Sequence, residues 1–165
     1  MNRELDFQGV YRIGKDAAPT DPVLLTKDFL RPNGIAFSPD QKLLYVGNSD
    51  MERPVIRVFK VKEDGTLNEG KLFFDLRDHL PQGVKANPDG FKLDADGNLF
   101  ISVVSFPTPT GVFVVSPAGK LLGQINIGHL SGNLAFGDDG SSLYIMGNMF
   151  LFRAKLLPTT VGDGF

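Results

Sequence analysis

Short apolar runs alternate with turn-forming residues along nearly the whole chain. Residues 7–13 supply β-forming bulk at Phe7, Val10, Tyr11 and Ile13. Val23-Leu24-Leu25 forms a short returning strand after a Gly-, Pro- and Asp-rich turn over 14–22. From there the pattern is regular, with strands predicted over 35–37, 43–48, 55–61 and 71–76. A second set follows over 91–93, 99–103, 112–115 and 122–127, and a third over 133–136, 143–146 and 151–156. The stretch 75–86 is the one helical or irregular connection, and Asp75, Pro81 and Gly83 keep any helix there short. The strands thus group as two, four, four and three.

One phrase recurs at the head of the last three groups. Pro32-Asn33-Gly34 precedes Ile35-Ala36-Phe37, a turn at Ser38-Pro39-Asp40 and the run Leu43-Leu44-Tyr45-Val46. Pro88-Asp89-Gly90 precedes Phe91-Lys92-Leu93, a turn over 94–98 and the run Leu99-Phe100-Ile101. A weaker copy starts at Gly132-Asn133 and continues through Leu134-Ala135-Phe136 to Leu143-Tyr144-Ile145. Aligned, one position reads Asn33, Asp89 and Gly132, so the scaffold is kept while a single residue varies. Units of about 40–50 residues with four strands each mark β-propeller blades. A β-sandwich of hairpins also shows short strands at regular spacing, but it has no reason to repeat one phrase at one place in each unit. The fold expected is therefore all-β, a β-propeller present as about three blades. Residues 1–157 form the propeller region and 158–165 a tail.

Composition narrows the partners. The chain has 165 residues, a formal net charge of −2 and no long run of one sign, which argues against nucleic acid or a polybasic membrane surface as a partner. With no Cys, thiolate chemistry and cysteine metal sites are excluded. No apolar stretch approaches the roughly 18 residues of a membrane span, and the opening residues 1–6 lack the apolar core of a signal peptide. The expectation is a soluble protein, cytoplasmic or periplasmic. Gly 19, Pro 11 and Phe 14 suit a turn-rich, strand-rich chain.

The phrases Pro32-Asn33-Gly34-Ile35-Ala36-Phe37-Ser38-Pro39-Asp40, Leu44-Tyr45-Val46 and Pro88-Asp89-Gly90 with Asp96-Gly97-Asn98-Leu99 resemble the SMP-30/gluconolactonase/LRE family. Gly132-Asn133-Leu134-Ala135-Phe136-Gly137 is similar to that family's closing phrase. The resemblance runs over about 7–156 and implies the C-terminal half of a six-bladed propeller. It further implies a hydrolase of sugar-type lactones with a divalent cation, usually calcium, in the central channel. The family holds that ion with a Glu near the N-terminus, the Asn of the Pro-Asn-Gly phrase and the Asp of the Pro-Asp-Gly phrase. The last two fall on Asn33 and Asp89. The Glu, and the Arg-x-Asn-Asp phrase that positions substrate, have no counterpart here. Phe106-Pro107-Thr108-Pro109 also replaces the Gly-rich turn common in relatives.

Asn33 and Asp89 are hard oxygen donors of the kind that suit Ca²⁺ or Mg²⁺. Each lies between a Pro that fixes the chain's approach and a Gly that permits an unusual turn. In isolation such dipeptides are turn formers; their aligned recurrence, with the resemblance, gives them a ligand role. Asp89 is also the candidate general base. Asn133 is a candidate substrate contact, and His129 a candidate to face the channel, although a solvated rim position is commoner for a histidine. His79 is expected at the surface. Asn48 and Ser49 either reach the same rim or cap a turn. Asp40, Asp64, Asp96 and Asp139 belong to hairpin turns, and Ser105, Ser116 and Ser131 lack a serine-hydrolase context. Cut propeller edges would favour self-association. The competing function is a non-catalytic propeller that binds a small molecule or a protein.

Overall fold

The computed structural model describes residues 5–15 and 21–156. The predicted tail 158–165, and the middle of the turn over 14–22, lie outside the described residues. β1 (Gln8–Arg12) and β2 (Val23–Phe29) form a two-stranded sheet. β3 (Pro32–Phe37), β4 (Leu43–Asn48), β5 (Val55–Lys60) and β6 (Lys71–Asp75) form a four-stranded meander. β7 (Lys85–Leu93), β8 (Leu99–Phe106), β9 (Gly111–Val115) and β10 (Leu121–Ile125) form a second. β11 (Asn133–Gly137), β12 (Ser142–Gly147) and β13 (Phe150–Lys155) form a three-stranded sheet. All pairings are antiparallel between consecutive strands. The first strands of the last three sheets, β3, β7 and β11, lie side by side with β7 in the middle.

Burial decides between propeller and sandwich. Along β4, Leu44 and Val46 pack with Val10, Phe29 and Phe59 toward the two-stranded sheet. Tyr45, from the opposite face of β4, packs with Phe91, Ile101 and Phe113 of the next sheet. β8 repeats the arrangement: Leu99, Ile101 and Val103 face back toward β3–β6, while Phe100 faces Leu134 and Ile145 of the last sheet. Each four-stranded sheet is therefore covered on both faces. This explains why its middle strands are continuous apolar runs rather than clean alternations. A sandwich buries one face of each sheet; this chain is built of radiating blades.

The connection at 75–86 begins with a single 3-10 turn, Leu76–His79. Asp75 caps it by accepting from Arg77 N, and also takes the Arg77 guanidinium at 2.5–3.2 Å. His79 is exposed and stacks in parallel on Phe74, with ring centres 4.7 Å apart. No helix among the described residues is long and apolar enough to cross a membrane.

The Arg77 hydrogen bond holds the Asp75 carboxyl below its ordinary value, against the opposing effect of burial. A carboxyl depressed in the folded state contributes stability above its unfolded pKa and loses it as pH falls through the folded pKa. Asp75→Asn keeps the cap but loses the ion pair with the exposed Arg77, and should therefore lower unfolding free energy by about 0.5 kcal/mol at neutral pH. In urea titrations the gap to wild type should narrow as pH drops below 3.8.

Candidate functional site

The two Pro-x-Gly phrases are parts of strands, which corrects the reading of their glycines as turn residues. Pairing breaks between Pro32 and Ile35 in β3 and between Pro88 and Phe91 in β7, so each phrase forms a bulge. Neither Gly34 nor Gly90 has a positive φ. What they allow is close approach. A Cβ on Gly34 would lie 2.2 Å from the Asp89 carbonyl oxygen and 2.5 Å from the Phe91 ring. A Cβ on Gly90 would lie 2.2 Å from Asn133 Oδ1.

This approach joins the aligned positions. Asn33 Nδ2 donates to Asp89 Oδ1 at 2.9 Å, linking residues 56 apart in sequence. Gly90 N donates to the Gly132 carbonyl at 2.9 Å, and a Cβ placed on Gly132 would sit 3.8 Å from Asp89 Oδ2. Asn33, Asp89 and Gly132 thus converge at the inner edge of three successive sheets. Asn33 is exposed and Asp89 half-buried, so the cluster opens to solvent. Asn133 borders it, its Oδ1 accepting from Leu134 N, and it lines a recess of 310 Å³ with Lys92, Tyr144 and Met146. A larger recess of 630 Å³ lies beside Leu93, Asp94 and Asn98, past the far end of β7, and includes none of these residues.

The remaining candidates separate cleanly. His129 packs against Phe150 and Phe152 of β13, at 5.0 and 5.4 Å between ring centres. β13 is two strands out from β11, so the imidazole is taken up by aromatic packing and makes no contact with Asn33 or Asp89. Asn48 is a loop clamp: buried, it accepts from Leu30 N and Arg31 N and donates to the Arg53 carbonyl. Ser49 instead joins the cluster, donating to the Pro88 carbonyl at 2.7 Å and accepting from Asn87 Nδ2 at 2.8 Å and Asn33 Nδ2 at 3.3 Å. Asn87 escaped the sequence reading because the connection was read over 75–86 and the next strand only from 91, whereas β7 starts at Lys85. Two residues before Asp89 in a strand, it would have been placed on the same side. Ser131 is buried against Ser102, and Ser105 closes the Phe106–Thr110 turn through Thr108 and Thr110. Asp40 and Asp64 serve their hairpins; the Ser38 and Thr66 hydroxyls hold their carboxyls below the ordinary value.

Among the described residues, no three His, Cys, Asp or Glu side chains come together. The donors available to a metal are one carboxylate and one carboxamide. Asn33 Oδ1 and Asp89 Oδ2 accept no hydrogen bond from described residues, and neither is a buried unpaired atom. Two solvent-facing oxygens on facing strands fit a hard cation as part of its ligand shell.

Residues 1–147 match the SMP-30/Gluconolactonase/LRE-like region. The chain belongs to this family. It is similar to a gluconolactonase of Zymomonas mobilis, 34% identical over 156 residues that cover 93% of this chain and 42% of that protein. The solved structure of a gluconolactonase from Xanthomonas campestris superposes with a TM-score of 0.78 at 32% identity, covering 95% of this chain and 47% of that one. The calcium-binding protein regucalcin of Agrobacterium tumefaciens shares the fold, with a TM-score of 0.65 at 20% identity over 83% of this chain and 43% of its own. This member of the family spans less than half the length of each of these relatives.

The glycine contacts set an order of stability. Gly34→Ala sets a methyl group against backbone and should cost about 3 kcal/mol, whereas Gly90→Ala displaces only the Asn133 side chain and should cost about 1 kcal/mol. Chemical denaturation of the two variants checks the order.

Proposed function

We propose that this chain carries part of the site of a calcium-assisted hydrolase of sugar-type lactones. The observation that carries the reading is the 2.9 Å contact between Asn33 on β3 and Asp89 on β7, which brings a carboxamide and a carboxylate from successive blades to one solvent-facing point. Support comes from family membership and from relatives named gluconolactonase. Support for calcium comes from the hard oxygen donors and from a fold neighbour described as calcium-binding.

Asn33 Oδ1 and Asp89 would hold the cation, supplying only part of the about six to eight oxygens that calcium takes. Bound there, the ion would supply Lewis acidity toward the lactone carbonyl. The chain's own residues do the rest. The Asp89 carboxylate accepts a proton from the attacking water, on a lone pair that neither the cation nor Asn33 occupies, as the water oxygen bonds to the carbonyl carbon. The ring C–O bond then breaks and the departing alkoxide takes that proton back from the Asp89 carboxyl, giving the open hydroxy acid. Asn133, at the lip of the same edge, contacts a substrate hydroxyl.

Calorimetric calcium titration and pH-stat hydrolysis of a sugar lactone test this reading. Asp89→Asn should abolish saturable calcium binding and lower turnover by about 100-fold or more, and Asn33→Ala should weaken calcium binding with a smaller loss of rate. Unchanged turnover in Asp89→Asn would remove Asp89 from the chemistry. Absence of saturable calcium binding by the wild-type chain would favour the non-catalytic binding propeller.

A further inference from the structure

We infer that Ser49, contributed by the blade that carries Asn33, is the positioning residue for both Asn33 and Asp89. In its consequence for calcium this rests on the function proposed above; in its consequence for geometry it does not.

The Ser49 hydroxyl has one proton and two acceptor lone pairs. The Pro88 carbonyl 2.7 Å away can only accept, so the proton lies on that bond. What remains on Oγ is acceptor capacity, and two carboxamides converge on it, Asn87 Nδ2 at 2.8 Å and Asn33 Nδ2 at 3.3 Å. Both must therefore turn their NH₂ ends toward Ser49, which removes the usual ambiguity between the two ends of an amide. For Asn33 the result is specific. Its two amide protons go to Ser49 Oγ and Asp89 Oδ1, and its Oδ1 is left free as the donor atom.

The second effect runs through the backbone. The Pro88 carbonyl and the Asp89 N–H belong to one planar peptide unit. Holding that carbonyl from the neighbouring blade limits rotation at Asp89 inside the bulge, where strand pairing has lapsed. Ser49 can do this because it is itself fixed: its N–H donates to the Arg31 carbonyl at 2.8 Å, and the adjoining Asn48 is buried with three hydrogen bonds. A site held by one rigid hydroxyl keeps its geometry before any ligand arrives.

The experiment uses the 165-residue chain with Ser49→Ala, Ser49→Cys and Ser49→Thr, read by side-chain carboxamide NMR and by calcium calorimetry. Ser49→Ala should shift the Asn33 and Asn87 carboxamide signals and weaken calcium binding about tenfold. Ser49→Thr, which keeps the hydroxyl, should restore both. Ser49→Cys, nearly isosteric but a weak hydrogen-bonding group, should behave as Ser49→Ala and serves if the alanine variant does not fold. Carboxamide signals and calcium affinity both unchanged in Ser49→Ala and Ser49→Cys would overturn the inference. If wild type binds no calcium, the cation reading falls; the carboxamide signals then decide alone, their shift upholding the role of Ser49 and their constancy ending it.

Discussion

β3 and β7 approach so closely at Gly34 that no side chain fits between them, since a Cβ there would meet the Asp89 carbonyl at 2.2 Å and the Phe91 ring at 2.5 Å. The rest of the inner edge follows from that distance. Phe91, fully buried, fills the space over Gly34 and Gly47 and anchors the core shared by the two four-stranded sheets. Dispersion over such an interface falls off steeply with even a small gap. The pair of sheets therefore sets one spacing, and that spacing brings the Asn33 carboxamide within hydrogen-bonding reach of the Asp89 carboxylate.

The cluster that results is sparse in charge. It holds one carboxylate, two carboxamides and one hydroxyl, drawn from both sides of a blade boundary. Bulges in β3 and β7 make it accessible, because unpaired residues turn away from the ladder toward the open edge. Order comes from neighbours that are themselves fixed, Asn48 in its loop and Gly132 through its bond to Gly90. Such an edge suits a ligand that supplies its own charge or hydroxyl groups.

Much of this was legible in the residues. β4 spans the predicted 43–48, and β5, β6, β9 and β12 differ by a residue at one or both ends, because apolar runs bounded by Gly, Pro and Asp leave little choice. The strands carrying the phrases were read too short. β7 starts at Lys85 rather than 91, and β3 at Pro32 rather than 35, since a Pro followed by a Gly signals a turn locally while bulged pairing with the next strand overrides it. Asn87 was hidden by that boundary. His129 lies just before a repeated phrase, but Phe150 and Phe152, more than twenty residues later, provide the surface it covers.

By itself the sequence determined the strand count, the grouping into two, four, four and three, and the equivalence of Asn33, Asp89 and Gly132, because these depend on local alternation, turn chemistry and a repeat visible in one dimension. Tertiary structure alone decided that both faces of the middle sheets are buried and that the glycines serve close approach rather than turns. It also decided that Ser49, and not Asn48, reaches the site. Those outcomes depend on the distance between blades, a quantity set by side chains packed from segments tens of residues apart, which no local pattern carries.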